Sequence, residues 1–314
     1  MFILWGYMTQ DAFERFKKFD FDKADVYLWV FKRRSAENEK YTAHHVLIDT
    51  TLSETLKGFV KSEKERITEF HPYGHLAQTN ENSCLSVGIN ETNFPILKNL
   101  VDRPETQHTV KETKELRRAV GYCVKFVHDG EVVYATRRSP NTWRTAYKKK
   151  NMLCMNFVNG GLEAIEGEEF TLDPRFDMFC IGTGILVANK GGFESMMQYR
   201  AGYVQAFNHL RTQPEFVALF TDMQPLIDHV GTNAIHLRRM AVIQEKALYA
   251  DAAFISALKT VAQKHSWAIQ FDASNKIIPT PETAALIMKL LLDQRLVSEV
   301  THIMYDVPDA VRVQ

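Results

Sequence analysis

Cysteine is scarce in this chain, phosphate-loop glycines are missing, and no long apolar run occurs. The 314 residues hold four cysteines, Cys84, Cys123, Cys154 and Cys180, none in a C-x-x-C pair. That spacing excludes a disulfide framework and points to a reducing compartment. Cys123, Cys154 and Cys180 sit in apolar, strand-like surroundings, where a buried free thiol is expected. No stretch approaches the eighteen or more apolar residues of a membrane span. The opening MFILWGYM is apolar but short, no cationic stretch precedes it, and Asp11 and Glu14 follow closely. It does not read as a secretion signal; Phe2 to Tyr7 read as an edge strand or a subunit contact. A soluble, cytoplasmic protein is expected. Neither sign of charge is in excess, with 38 Lys and Arg against 38 Asp and Glu. Attraction to a polyanion therefore requires a local patch.

Catalytic signatures are equally sparse. There is no G-x-x-x-x-G-K-[ST] phosphate loop and no G-x-S-x-G elbow. Gly182-Thr183-Gly184 opens a dinucleotide-like pattern, but Val187 stands where the third glycine belongs. The segment also reads as the inside of an apolar strand, so close strand packing explains its glycines better. His71 and His75 have H-x-x-x-H spacing, yet Pro72 and Gly74 forbid the helix that would align them. With Cys84 and His44–His45 as conceivable additions they fall short of a zinc set, and hydrogen-bonded or surface histidines are expected. Glu112-Thr113-Lys114, with Asp102 upstream, matches the E-x-K of metal-dependent nucleases. It falls on a charged segment that reads as a solvated helix face. No metal, cofactor or enzymatic activity is expected.

What is present is a concentration of positive charge. Residues 137–150 read RRSPNTWRTAYKKK and hold six cations, Arg137, Arg138, Arg144, Lys148, Lys149 and Lys150, with no acid. Trp143 and Tyr147 lie among them. Phosphate-binding charge with interleaved aromatic surface is a composition used for nucleic acid, and these eight residues are the candidate DNA contacts. The plainer reading is a solvated loop, since Pro140 and Asn141 mark a turn. An acidic stretch at 163–177, including Glu163, Glu166, Glu168, Glu169, Asp173 and Asp177, offers it a partner within the fold or across an oligomer interface. Arg238-Arg239 and Lys32-Arg33-Arg34 are smaller basic points. Only the fold decides whether 32–34 lie near 137–150.

The pattern of β-formers and helical periodicity predicts an α+β protein. An N-terminal mixed sheet with helices is expected over 1–188, and a mainly helical region with short strands over 189–314. Strands are expected at 24–33, 44–49, 152–158, 169–172 and, as one central strand, 176–189. A hairpin turning at Asp129-Gly130 spans 120–136 and feeds the basic segment. A helix is expected from a Thr51/Glu54 capping box to about Phe70, a charged helix at 104–118, and an irregular stretch at 71–95. Further helices are expected at 193–210, from a Thr212/Glu215 capping box to Pro225, at 233–246, at 250–265, and from Thr280-Pro281-Glu282 to about Gln294. Short strands at 267–271, 276–278 and 296–305 complete the pattern.

The segment FDMFCIGTGILVANKGGFESMMQYR (176–200) resembles a KwaB-like signature of hydrophobic strand, Asn-Lys, Phe-Glu and helix. HLRRMAVIQEKALYADAAFISAL (236–258) follows in the expected order, and then the stretch 267–307, with Phe271-Asp272 before a Lys-Ile turn and a helix ending before Leu296-Val297-Ser298. The likeness covers about residues 115 to 307, and its motifs are structural, not catalytic. It implies the soluble effector of the Kiwa bacterial anti-phage system, engaging phage DNA without obvious cleavage. It also implies a membrane partner, KwaA, that brings it to the inner membrane, and a homo-oligomer, dimer or tetramer. No DNA-contact motif is carried over from the family; those residues rest on charge alone. Two other readings stay open: a metal-dependent nuclease using Asp102, Glu112 and Lys114, and a protein-interaction module whose basic loop binds acidic protein.

Overall fold

A computed structural model describes residues 2–33, 41–112, 115–116, 119–139, 155–158, 161–164 and 172–308. The chain divides into two compact units, one formed by 1–73 and 79–197, the other by 74–78 and 198–314.

The first unit is built on an eight-stranded mixed sheet. Its elements are α1 (Phe2–Lys18), β1 (Asp25–Arg33), β2 (Tyr41–Val46), α2 (Thr50–Arg66), β3 (Glu69–Pro72), β4 (Ser83–Gly88), α3 (Phe94–Val101), β5 (Ala119–His128), β6 (Glu131–Arg138), the ribbon β7 (Met155–Val158) and β8 (Gly161–Ala164), β9 (Met178–Ile181), β10 (Gly184–Val187) and α4 (Lys190–Met196). Strand order is β2-β1-β5-β6-β9-β10-β4-β3, and only β3–β4 is parallel. Alternation along the strands sends side chains to two faces. Leu28, Val30, Val124, Phe126, Val133 and Ala135 meet Ala12 and Phe16 of α1 and Leu56 and Val60 of α2 in one core. Phe16 is fully buried, with its ring 4.7 Å from Phe179. On the opposite face α3 packs against β2 and α4 against β6; the Phe94 and Tyr134 rings meet there at 6.0 Å.

The second unit is mainly helical. It contains α5 (Tyr199–Leu210), α6 (Pro214–Val217), α7 (Gln224–Val230), α8 (Ala234–Lys246), α9 (Ala252–Lys264) and α10 (Ala284–Leu291). The two-stranded ribbons β11 (Gln270–Phe271) with β12 (Ile277–Ile278), and β13 (Arg295–Val297) with β14 (Met304–Asp306), belong to it. Phe207, Leu210, Phe216, Leu226, Met240 and Ile287 share a separate core. Asn233 and Asp251 cap α8 and α9 by accepting hydrogen bonds from the first-turn amides. Among the described residues no helix is long and apolar enough to cross a membrane.

The α+β class and the Asp129-Gly130 hairpin stand as the sequence predicts, with both turn residues at positive φ (48° and 76°). Several local readings are corrected. Phe2 to Tyr7 belong to a helix, because Ala12 and Phe16, four apart, anchor α1 on the sheet. The stretch 71–95 contains β4 and α3. Its serines disguised a buried strand: Ser83 Oγ accepts from Asn80 N at 2.9 Å, and Ser86 Oγ donates to the His71 carbonyl at 3.3 Å. No helix occurs at 104–112. There the chain runs beside β2, His45 N donating to the His108 carbonyl and Val110 N to the His45 carbonyl. The single strand expected at 176–189 is the β9–β10 hairpin, turned at Gly182 with φ +56°. The helix expected at 193–210 breaks between α4 and α5 at Gln198, whose φ is +60°; Asn93 Nδ2 donates to the Met197 carbonyl at 2.8 Å. Asp49, not Thr51, caps α2, accepting from Leu52 N at 2.7 Å. Thr212 donates to the His209 carbonyl and caps nothing. Pro225 stands in the first turn of α7 and does not end a helix there. The last helix spans Ala284–Leu291, shorter at both ends than expected; Thr280 Oγ1 accepts from Thr283 N at 3.3 Å just before it.

Replacing Phe16 with Ala removes a fully buried ring from the sheet core. We expect a loss of about 3–5 kcal/mol in folding stability, read as a lower urea midpoint with an unchanged slope.

Candidate functional site

Strand β6 delivers the chain to the cationic segment at a well-defined place. Arg137 and Arg138 are its last residues, opposite Tyr122 and Gly121 of β5. Gly121 in turn pairs with Phe31 of β1. Arg138 and Phe31 thus flank one residue of β5, about 10 Å apart by strand spacing. Lys32 and Arg33 therefore end β1 at the same end of the sheet where the basic segment leaves it. Arg33 and Arg138 are exposed. Burial holds the Lys32 amine below its usual range, against the opposing pull of Glu115. Arg34, Trp143, Arg144, Tyr147, Lys148, Lys149 and Lys150 lie outside the described residues, as do Glu166, Glu168, Glu169 and the side chain of Glu163.

Arg137 differs from the other candidates. Its guanidinium donates to Asp177 Oδ1 at 2.7 Å and to Asp173 Oδ2 at 2.6 Å. Asp177 Oδ2 accepts the Arg138 backbone N–H at 2.6 Å. The Asp177 main chain is equally committed: its N–H donates to the Thr136 carbonyl, and its carbonyl accepts from Ala188 N and Asn189 N. Part of the acidic stretch thus pairs with the basic one inside the fold. Arg137 is occupied there, whereas the side chain of Arg138 is exposed.

The Asp177 carboxyl is 1% exposed and presses on α4, where a Cβ at Gly192 would fall on its oxygens. Burial pushes its pKa up to about 6, although Arg137 and the Arg138 amide favour the charged form. Burial alone lowers the pKa of Arg137, but the two carboxylates outweigh it and raise the value overall. Nearby, Tyr122 is buried and donates to the Asp173 carbonyl at 2.9 Å; burial pushes its phenol up.

Among the described residues the other sequence candidates do not converge. Asp102 ends α3 and is fully engaged: Tyr134 Oη and Lys125 Nζ approach Oδ1 at 2.7 and 3.0 Å, and Lys98 Nζ approaches Oδ2 at 2.6 Å. Burial raises its pKa, but these three donors outweigh it and hold the carboxyl below its usual range. Lys114 lies outside the described residues. His75 Nδ1 is 3.0 Å from Tyr203 Oη, and His71 Nε2 is 3.8 Å from Glu69. Among the described residues no group of three or more His, Cys, Asp or Glu is placed to hold a metal ion. Cys84, Cys123 and Cys180 are free and buried; burial pushes the first two up to about 12 and Cys180 higher still. Arg238 lies over the Tyr203 ring at 5.9 Å. Sequence reasoning missed the closing role of Asp177, which it counted only as one of several acids; an isolated Asp before an apolar run, FDMFCI, was the available signal.

The raised pKa of Asp177 fixes the sign of a pH dependence. The folded state favours the protonated acid, so this contribution to stability is complete below about pH 4 and is lost as pH rises through about 6. From a shift of about two units, parent stability minus that of Asp177→Asn should fall by about 2 kcal/mol between pH 4 and pH 7. Urea denaturation of both proteins across that range provides the measurement; a constant difference would refute the assignment.

No curated protein and no solved structure matches the chain. A family model does: residues 116–301 match the one described as Kiwa protein KwaB-like. The match covers β5 through most of the second unit, more than half of the 314 residues. The chain belongs to the KwaB-like family and is a component of the Kiwa anti-phage defence system.

Proposed function

We propose that this protein is the cytoplasmic effector of its defence system, binding DNA largely without regard to sequence through the basic segment that leaves β6. One observation carries the reading: strand register gathers Arg33 and Arg138 at the end of the sheet from which the other cations emerge. A rigid sheet end is a suitable base for a phosphate-binding loop. Binding of this kind is dominated by backbone phosphates and carries little sequence information. In this reading the protein is not an enzyme and acts by occupying DNA. It assembles as a dimer or tetramer, which multiplies the patches and raises avidity. The membrane protein KwaA recruits it to the inner membrane.

The engagement of Arg137 by Asp173 and Asp177 refines the expected salt dependence. With Arg137 occupied, the reading assigns the other five cations of 137–150 to phosphate. Counterion release from five contacts corresponds to a slope of log affinity against log salt of about −4.5. Filter binding of duplex DNA over a salt series measures it, and no retention at low salt would rule out the DNA reading. Changing Arg144, Lys148, Lys149 and Lys150 together to Glu should abolish retention while the melting temperature stays within a few degrees. Retention equal to the parent's would show that the segment is not the DNA contact.

A further inference from the structure

The second unit contains a half-open cleft of about 210 Å³ along one face of α5. Arg200, Val204, Phe207, Asn208 and Arg211 line one wall. They recur at i, i+4, i+7, i+8 and i+11, the spacing of a single helical face. The opposite wall comes from the end of α7 and the start of α8, with Ile227 and Leu237 supplying apolar surface. Gly231, at φ +46°, turns the chain between those helices without placing a side chain in the opening.

The charge of this cleft is one-sided. Two arginines line it, and none of its lining residues is acidic. Asp228, on the neighbouring α7, is engaged by Gln224 Nε2 at 2.7 Å. Arg200 and Arg211 stand three turns apart, about 16 Å along the helix axis, so they mark the two ends of the cleft. Arg200 is fixed there by donating to the Thr232 carbonyl at 3.0 Å. The middle is apolar apart from Asn208, whose amide offers a donor and an acceptor side by side.

We propose that this cleft binds one nucleotide, with its phosphate on the Arg200 guanidinium at one end and its base and sugar along the apolar floor beside Asn208. The planar guanidinium matches phosphate oxygens in pairs. A side-chain amide of this type pairs with the N6/N7 edge of adenine. The cleft is smaller than the 300–1,000 Å³ of drug-sized pockets and half-open, so it holds part of a nucleotide and leaves the rest to solvent. The same chemistry is offered by a free nucleotide and by one unit of an unpaired strand. The inference uses no residue of 137–150, so it stands or falls independently of the duplex-binding role given to that segment.

Calorimetric titration of the full chain with 5′-dAMP, deoxyadenosine and inorganic phosphate tests the assignment. Saturable binding of dAMP is expected, at least tenfold tighter than either of the other two. Arg200→Gln, at an exposed position, should weaken it at least tenfold without a change in melting temperature, and Arg211→Gln, at the far end of the cleft, should weaken it less. The fourfold Glu variant of the basic segment should bind dAMP as the parent does. Competition by hexadeoxyadenylate would identify a strand as the source, and its failure to compete would identify the free nucleotide; either result supports the site. No saturable binding at millimolar dAMP would overturn the proposal. So would phosphate binding as tightly as dAMP, or an Arg200→Gln/Arg211→Gln double variant with parental affinity.

Discussion

A single buried carboxylate organises the end of the sheet on which the functional reading depends. Asp177 holds the last two residues of β6 through its side chain and the residue before them through its own amide. Its carbonyl takes the two amides that follow β10, and its oxygens rest where Gly192 of α4 leaves room. Three strands and a helix therefore meet at one acid. Charge-assisted bonds of 2.6–2.7 Å offset the cost of burying it. Arg137 is a component of this junction and contributes nothing to the free positive surface. Arg138, one residue later on the opposite face of the strand, remains available.

How much of this was legible in the sequence depends on the range of the interaction that decided each element. Hairpin and capping signals of a few residues read correctly where local chemistry rules, as at Asp129-Gly130, Asn233 and Asp251. They failed where a distant contact won. The charged run after Pro104 looks helical in isolation, but pairing beside β2 gives its backbone other partners. Strand β4 looked polar because its serines find bonds that only the fold supplies. The breaks at Gly182 and Gln198 fall inside continuous apolar patterns, and the Gln side chain carries no signal for a left-handed residue. Of the proposed contact residues, sequence marked the concentration of charge but not that Arg137 is consumed internally. Nor did it show that Arg33 sits two strands from Arg138.

Family membership and physical reading address different levels. The KwaB-like match assigns the chain to Kiwa defence and spans the hairpin, the Asp177 junction and most of the helical unit. It names no contact residue. The charge distribution supplies the candidates: an overall neutral chain, 38 cations against 38 acids, with exposed Arg33 and Arg138 at one sheet end. The helical unit adds an arginine-edged cleft of its own. On the two proposals made above, a phosphate-rich partner would find two distinct kinds of surface, one suited to a polymer backbone and one to a single residue.

The strand order also dictates when this protein acquires its shape during synthesis. The central pairing of β1 with β5 joins Asp25 to Val127, and β4 waits for β10, Gly88 meeting Gly184. More than half of the polypeptide must leave the ribosome before the sheet closes. Such long-range closure is slow and leaves unpaired strand edges exposed in the interim. The cationic stretch emerges about 40 residues before the acid that anchors its first arginine. For that interval Arg137 lacks the acid that engages it in the fold, so the nascent chain is more basic at this site than the finished protein.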